Sequence, residues 1–347
     1  MNNTELIKNL EKFGTLTKDE FMQLISTYTA DDLNFARACA VRIAKQHFGN
    51  KIYIRGLIEF TNICRQDCFY CGLRCSNKAV QRYRLTKDEI LLCCEIGYPL
   101  GFRTFVLQGG EDPYFDNEKM CDIVSSIKKQ YPDCAVTLSI GEKSREFYQK
   151  LFDSGADRFL LRHETANTEH YSKLHPSTQT LANRKQCLFD LKEIGFQTGC
   201  GFMVGSPYQT VETIAEDLLF IRELSPEMVG IGPFLPHKDT PFGNKEPGSV
   251  ELSLFLLALV RIMLKKVLLP ATTALGTADQ NGREMGILSG ANVVMPNLSP
   301  IDVRKKYMLY DNKIATGSEA AEGLADLRRR VQSIGYDIAI SRGDFQK

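Results

Sequence analysis

The sequence lacks tryptophan, contains no apolar run long enough to cross a bilayer, and has almost no net charge. Its 347 residues include 43 lysines and arginines against 42 aspartates and glutamates, a formal charge of +1. Without a basic block, nucleic acid and anionic lipid are disfavoured as partners, so we expect a small-molecule partner. The charged, amphipathic segment MNNTELIKNLEKFG does not resemble a signal peptide. We therefore expect a cytoplasmic protein that does not associate with membranes.

Cysteine, in contrast, is abundant but irregularly spaced. There are 11 cysteines, and the last is Cys200. An odd number at irregular spacing is not typical of a secreted disulfide framework. Most are expected to be buried thiols. The dense group within residues 64–75 needs a separate explanation.

The distribution of apolar residues predicts an α/β fold. Residues 4–48 have helical periodicity, and Thr17 followed by Glu20 has the form of a capping box. Eight short β-rich runs then alternate with seven helix-length segments. The predicted strands are Tyr53–Phe60, Thr104–Gln108, Ala135–Ser139, Arg158–Arg162, Thr198–Val204, Met228–Phe234, Leu268–Ala274 and Asn292–Pro296. The predicted helices lie near 86–98, 117–130, 143–154, 180–194, 210–224, 250–265 and 281–289.

Seven crossovers joining eight strands predict a (β/α)8 TIM barrel with an N-terminal helical extension. The expected segments are the extension at 1–50, the barrel at 51–310 and a C-terminal helical segment at 311–347. A closed barrel capped by its own helices is expected to be a monomer. In such barrels the chemistry lies at the C-terminal ends of the strands, where the polar and glycine-rich loops of this sequence occur.

Cys64, Cys68 and Cys71 form a C-x3-C-x2-C motif directly after the first predicted strand. Three thiolates can bind three corners of a 4Fe–4S cubane, whereas a structural cluster usually has four cysteine ligands. The fourth iron would then be open to another ligand. The alternative is a structural zinc site that also uses Cys75. Zinc ribbons usually pair two distant knuckles, and the sequence has no second one, so Cys75 is expected to be a free thiol near the cluster.

The motif, with Tyr70 before its third cysteine, resembles the signature of the radical S-adenosylmethionine superfamily. The turn Gly109-Gly110-Glu111-Asp112 after the second strand resembles the GGE element of that superfamily, whose backbone contacts the methionine amino group. The resemblance implies one 4Fe–4S cluster and S-adenosylmethionine as cofactors. Tyr70, Gly110 and Glu111 would then contact S-adenosylmethionine.

Longer stretches such as LLRHETAN, PHKDTP and ATTALGT resemble the HydE family of FeFe-hydrogenase maturases. This resemblance implies a role in assembling the diiron subcluster, an organometallic or amino-acid-derived substrate, and other hydrogenase maturases as partners. Some members of the family have a second, C-terminal cluster, which this chain cannot form because no cysteine follows Cys200. A radical amino-acid mutase such as methylornithine synthase is the alternative enzyme. A non-catalytic zinc or electron-transfer protein is the alternative of another class.

The resemblance also implies roles for individual residues. Ser139, Glu164 and Arg184 match contacts of S-adenosylmethionine, and their hydrogen-bonding capacity suits ribose hydroxyls, an ammonium and a carboxylate. The alternative for each of them is a salt bridge at the barrel mouth. Positions that match the substrate cavity of the family are Gln108, Met228, Thr272, Thr273, Tyr307 and Tyr310.

Arg158 and Arg162 are four residues apart on one predicted strand, so both side chains are expected on the same face. Two buried guanidinium groups need anionic partners, which predicts a cavity that binds anions or carboxylates. Pairing with Asp157 or Glu164 is the alternative. His237, a lone histidine in a proline-rich loop, is not expected to bind a metal.

Overall fold

A computed structural model describes residues 1–314 and 320–346. The chain begins with three helices, α1 Asn3–Phe13, α2 Lys18–Thr27 and α3 Ala30–Phe48. Each begins with a capping box, and the one predicted at Thr17 and Glu20 is confirmed. In such a box the side chain of the cap and that of the third residue each satisfy a free backbone N–H. The N-terminal helical extension is therefore confirmed as three separately capped helices.

The barrel strands are short and parallel. The first strand is interrupted at Arg55, and β6 and β8 each continue into a second short strand after a two-residue break. The strands are β1 Lys51–Ile54, β2 Gly56–Thr61, β3 Thr104–Gly109, β4 Ala135–Ser139, β5 Arg158–Leu160, β6 Gln197–Cys200, β7 Met203–Val204, β8 Met228–Val229, β9 Gly232–Pro233 and β10 Val293–Val294. The pairing order is β2-β3-β4-β5-β6-β8, with β7 paired to β9 and β10 to β1.

The seventh barrel position is occupied by extended chain rather than by a regular strand. Leu268 forms a parallel bridge to Met228, and Pro270 forms one to Val293, which closes the ring between β8 and β10. Pro270 has no N–H to donate, so a regular ladder cannot continue through it. The predicted strand Leu268–Ala274 is therefore wrong beyond residue 271, where a helix begins instead. The (β/α)8 barrel itself is confirmed.

The helices around the barrel include all seven that were predicted, and α5 has the predicted bounds. Short helices at 168–174 and 273–278 were not predicted, because neither is long enough to show a clear 3.6-residue period. The helices are α4 Lys87–Gly97, α5 Asn117–Gln130, α6 Arg145–Asp153, α7 Thr168–Leu174, α8 Leu181–Ile194, α9 Val211–Leu224, α10 Val250–Met263, α11 Thr273–Ala278, α12 Gly282–Ile287, α13 Ile301–Arg304 and α14 Leu324–Ser333.

The N-terminal extension is part of the main core. Helix α10 is buried along most of its length because α1 and α3 cover its outer side, while α2 packs on α9. Apolar side chains of the extension, the barrel and α14 form one continuous cluster. Within the described residues, no helix is both long enough and apolar enough to cross a membrane.

The end of the chain differs from the predicted helical segment 311–347. After α14, a strand β11, Asp337–Ala339, pairs in parallel with β1 at the N-terminal end of the barrel. The following residues Arg342 and Asp344 reach beneath the barrel to Arg158. No local pattern predicts this strand, because its partner β1 is almost three hundred residues away in the chain.

Candidate active site

The C-terminal ends of the strands surround a cavity of about 330 Å³. Most of the residues predicted to form the site line this one cavity, although they come from loops that are far apart in the sequence. They are Cys64, Cys68, Tyr70, Cys71, Gln108, Gly110, Glu111, Ser139, Arg162, Glu164, Arg184, Thr272, Thr273, Tyr307 and Tyr310. The fold therefore brings the cysteine loop and the predicted binding residues to one mouth.

The cysteine loop follows β2 and is held by buried polar groups. The side chain of Asn62 donates to the carbonyls of Gln81 at 2.9 Å and Lys306 at 2.7 Å. The guanidinium of Arg82 donates to four carbonyl oxygens, those of Asn62, Leu73, Arg74 and Asn77. The loop has no regular secondary structure, so these bonds satisfy its buried carbonyls and fix its course.

The GGE turn packs directly against the cysteine loop. A Cβ atom on Gly110 would lie 2.2 Å from the carbonyl oxygen of Ile63 and 2.7 Å from Cβ of Cys64, so only glycine fits there. The backbone N–H of Glu111 donates to Cys64 Sγ at 3.3 Å. Next to it, Asp112 accepts from Thr61 at 2.8 Å. The turn thus fixes the position of the first cysteine.

The three motif thiols face the cavity and are poorly solvated. Burial raises the pKa of Cys64 and Cys68, and it raises the pKa of Cys71 to about 12. At neutral pH these thiols keep their protons unless a bound metal displaces them. The backbone N–H of Gln66 also donates to Cys64 Sγ, at 3.4 Å. The first cysteine therefore has two N–H donors ready for a thiolate.

The motif thiols are not arranged as ligands of a single metal ion. Zinc with thiolate ligands at about 2.3 Å requires the sulfur atoms to lie within about 4 Å of one another. Among the described residues, no three histidine, cysteine, aspartate or glutamate side chains are close enough to hold one ion. A cubane cage is wider than one ion and needs only three cysteines around it. The donor set of three cysteines thus fits the cluster.

Behind the cysteine loop, buried acidic groups connect the predicted cofactor contacts. Glu111 accepts from the backbone N–H of Glu142 at 2.9 Å, and Glu142 in turn accepts from Arg184. Arg184 also donates to the carbonyl of Arg162 at 2.6 Å. The salt bridge that was the alternative for Arg184 is therefore present, and it holds the guanidinium at the cavity wall.

Arg162 and Glu164 carry buried polar atoms that the protein leaves unsatisfied. Arg162 Nη2 lies 3.2 Å from Glu164 Oε2, so the ion pair that was the alternative is present, but neither these two atoms nor Arg162 Nε makes a hydrogen bond of good geometry. Glu164 also has a left-handed backbone with a φ of 63°, which is uncommon outside glycine. Unsatisfied buried groups are costly, so their presence at the cavity indicates a polar ligand. This fits S-adenosylmethionine or a polar substrate.

The opposite wall is made by hydroxyl and amide groups. Thr272 caps α11 by accepting from the N–H of Leu275, and Thr273 is the first residue of that helix. The two threonines therefore follow an extended segment, as predicted, but they form the start of helix α11 and not the end of a strand. Gln108 donates to the hydroxyl of Tyr307 at 3.4 Å. These side chains give the cavity several uncharged donors.

Two predicted cavity residues do not line the cavity. Arg158 is fully buried at the other end of the barrel, where it is bonded to Asp344, Gln197 and Thr104. A separation of four residues along a strand is about 13 Å, which is enough to place the two arginines at opposite ends. Met228 is also below the cavity, where its sulfur accepts from Arg55 at 3.0 Å. Both predictions of a cavity contact were wrong.

His237 does not face the cavity but lies behind the cysteine loop. A Cβ atom on Gly72 would be 2.3 Å from the imidazole, so the ring packs against the backbone of this glycine. Its Nδ1 accepts from the backbone N–H of Asp239 at 3.2 Å. His237 thus supports the loop from outside the cavity.

The structure adds a charged pair that was not predicted from the sequence. Lys313 and Glu59 both line the cavity and form a buried ion pair at 2.5 Å. Glu59 also accepts from Asn297 at 2.8 Å, and the ammonium of Lys313 lies 5.2 Å from the ring centre of Tyr307. The charged Glu59 within the apolar strand GLIEFT was the available signal. The position of Lys313 had none, because the residue lies in an irregular segment.

Comparison with known proteins agrees with this geometry. The family model of the radical SAM superfamily matches residues 58–221, which include the cysteine loop and the strands up to β6 and β7. The HydE subunit of the FeFe hydrogenase maturase of Thermotoga maritima is 43% identical over 338 residues, covering 96% of this chain and 95% of that protein. A 3-methylornithine synthase of Methanosarcina acetivorans is 26% identical, covering 96% and 95%.

Solved structures show the same fold. The crystal structure of methylornithine synthase PylB has a TM-score of 0.85 at 26% identity, covering 96% of this chain and 97% of that one. That of the hydrogenase maturase HydG has a TM-score of 0.82 at 21% identity, covering 97% and 76%. Barrel and cysteine loop define a radical SAM enzyme, which uses a 4Fe–4S cluster and S-adenosylmethionine. Within that superfamily, the chain belongs to the HydE family of FeFe-hydrogenase maturases.

Proposed function

We propose that this enzyme reductively cleaves S-adenosylmethionine at a cluster bound by Cys64, Cys68 and Cys71, and that it acts in assembling the diiron subcluster of FeFe hydrogenase. The observation that carries this proposal is the 43% identity to a HydE maturase over 96% of the chain. The three thiols and the GGE turn at one mouth support it.

When bound, the cluster and S-adenosylmethionine supply an electron and a 5'-deoxyadenosyl radical. The protein supplies the binding groups. Gly110 and Glu111 would present backbone groups to the methionine part, and Ser139 and Glu164 would accept hydrogen bonds from hydroxyl or ammonium groups. Arg184, held by Glu142, would face a carboxylate. Tyr70, half-buried within the loop, would pack against the adenine.

The remaining walls would hold a small polar substrate. The guanidinium of Arg162 pairs with Glu164, but two of its nitrogen atoms make no hydrogen bond and would donate to an anionic group in the cavity. Gln108, Thr272, Thr273 and Tyr307 add hydrogen-bonding groups around it. Tyr307 is buried and the other four side chains are partly buried, so their hydrogen bonds to a ligand compete with less water than at an exposed surface. A compact anionic complex that contains metal or is derived from an amino acid would fit this chemistry.

The proposed maturase role is tested by using this chain in place of a known HydE maturase in a hydrogenase maturation reaction. The chain is added to inactive FeFe hydrogenase with the other maturases and S-adenosylmethionine, and hydrogen evolution is measured. We expect activity with this chain and none with Cys68→Ala. Absence of activity from wild-type enzyme with an intact cluster would contradict the maturase role.

An amino-acid mutase is the second candidate, because the fold matches methylornithine synthase with a TM-score of 0.85. Incubation with lysine, dithionite and S-adenosylmethionine distinguishes the two. A maturase forms no rearranged amino acid, whereas methylornithine in the products would favour the mutase.

We also propose that the enzyme acts in the cytoplasm as a monomer and exchanges intermediates with other maturases. Its 11 cysteines are all unpaired, as in a reducing compartment. Light scattering of the pure enzyme, alone and with each partner maturase, tests the oligomeric state and the exchange.

A further inference from the structure

The end of α7 and the turn between α7 and α8 lie against the cysteine loop and contribute three contacts. The N–H of Phe69 donates to the carbonyl of Leu174 at 2.9 Å. The hydroxyl of Tyr70 lies 3.2 Å from His175 Nε2, and the thiol of Cys68 lies 3.3 Å from Gln179 Oε1. Each residue of the loop from Cys68 to Tyr70 is therefore held by this turn.

The turn is rigid. His175 Nδ1 is 3.1 Å from the carbonyl of Tyr171, which can only accept, so Nδ1 carries the proton and Nε2 accepts from Tyr70. The imidazole also stacks on the ring of Tyr171 at 3.9 Å. The N–H of Gln179 donates to the carbonyl of Pro176 at 2.9 Å, which fixes the end of the turn. The amide of Gln179 is therefore held next to Cys68.

The side-chain amide nitrogen of Gln179 is a buried hydrogen-bond donor without an acceptor. Its side chain is 6% exposed, and Nε2 has no hydrogen-bond partner. When Cys68 is a neutral thiol, its S–H donates to Oε1 of Gln179, and the amide nitrogen has no acceptor. A thiolate bound to iron has no proton, so it can only accept, and an amide oxygen facing it would repel it.

We propose that Gln179 turns its amide over when the cluster is bound, so that Nε2 donates to the sulfur of Cys68 and makes the cluster easier to reduce. Rotation by about 180° about the last side-chain bond exchanges the two amide ends, which have nearly the same shape. The rotation breaks no bond made by Nε2, since that atom has no partner. A hydrogen bond to a ligating sulfur stabilises the more negative, reduced cluster.

Gln179 is therefore a positioning residue that acts through Cys68. The inference rests on the proposed ligation by Cys68. It goes further in naming the donor that sets the reduction potential of the cluster.

The test compares Gln179→Leu and Gln179→Met with wild-type enzyme, each reconstituted anaerobically. Both variants keep the approximate volume of the side chain and remove the donor. The measurement is the midpoint potential from a redox titration followed by electron paramagnetic resonance. Gln186→Leu, an exposed glutamine on α8, is the matched control.

We expect both variants to bind the cluster and to have a more negative midpoint potential than wild type, with the control unchanged. An unchanged potential in a variant that retains its cluster would overturn the proposal. Loss of the cluster from both variants, with the control intact, would also overturn it, in favour of a role in assembly. If wild-type enzyme bound no cluster, the proposed function itself would fail.

Discussion

Arg158 and Arg162 come from the same strand segment but lie at opposite ends of the barrel, and their surroundings are opposite. Arg158 is fully buried and bonded on every side, with Asp344 as its ion-pair partner. Arg162 has two nitrogen atoms without a hydrogen-bond partner and faces the cavity beside Glu164. At the closed, N-terminal end of the barrel, the charge of Arg158 is compensated by Asp344. At the mouth, Arg162 and Glu164 compensate each other's charge, but buried atoms of both groups lack hydrogen-bond partners, which indicates that a ligand completes the site.

The loss of a cluster ligand should have the largest effect at the mouth. We expect Cys68→Ala to lose bound iron and sulfide and to form no 5'-deoxyadenosine, because three thiolates are the minimum set for this cluster. Cys75→Ala should retain about four irons per chain. Iron and sulfide analysis of both variants makes the comparison, and loss of the cluster in Cys75→Ala alone would reverse our assignment of the ligands.

The two arginines should separate stability from binding. Arg158→Gln removes a buried charge and leaves its partners unpaired, so we expect the free energy of unfolding to fall by about 3 kcal/mol. The matched change Arg162→Gln should alter it by less than about 1 kcal/mol, because the Arg162 side chain is 33% exposed and its ion pair with Glu164 is not hydrogen-bonded. Urea unfolding of the metal-free proteins measures both. Equal losses would mean that the two ends of the barrel are alike.

These first two comparisons also show where sequence is informative. The motif cysteines and Gly110 were predictable because local spacing and a local turn determine them. The position of Arg158 at the closed end of the barrel was not predictable, because its ion-pair partner Asp344 follows 186 residues later in the chain. Gln179 carried no signal, since its role depends on which side of its amide meets Cys68.

Of the buried ion pair at the cavity, one residue could have been predicted from the sequence and the other could not. Glu59 could have been noticed as a charge in an apolar strand. Lys313 could not, because its pairing with Glu59 crosses 254 residues. Strand periodicity correctly predicts on which face a side chain lies, but it does not predict at which end of the barrel the cavity opens.

A smaller effect is expected for the cofactor contact at the mouth. Glu164→Gln removes a carboxylate with an unsatisfied oxygen, and a hydrogen bond to a charged group contributes about 2 kcal/mol, or roughly thirtyfold in affinity. Equilibrium dialysis of the reconstituted enzyme with S-adenosylmethionine tests this. Unchanged binding, with the cluster intact, would remove Glu164 from the cofactor site.

The smallest expected effect is the pH dependence of the stability that Asp344 provides at the closed end of the barrel. Burial alone would raise the pKa of Asp344, but Arg342 and Arg158 lower it to about 2 from an ordinary value of 3.8. A carboxyl with a lowered pKa in the folded state stabilises the fold above its unfolded pKa, and this contribution is lost as pH falls towards the folded pKa.

The stability difference between wild type and Asp344→Asn should therefore be constant above about pH 5 and shrink below about pH 4. Urea unfolding at a series of pH values checks this, with exposed Asp88→Asn as control. A difference that is independent of pH would show that the charge of Asp344 does not stabilise the closed end.

The central claim is that the open end of the barrel holds a cluster at which S-adenosylmethionine is cleaved. Its most direct test is to incubate anaerobically reconstituted wild-type enzyme with dithionite and S-adenosylmethionine, and to measure bound metal, sulfide and 5'-deoxyadenosine together. We expect about four irons and four sulfides per chain, with 5'-deoxyadenosine formed. Bound zinc without sulfide, and no 5'-deoxyadenosine, would contradict the claim.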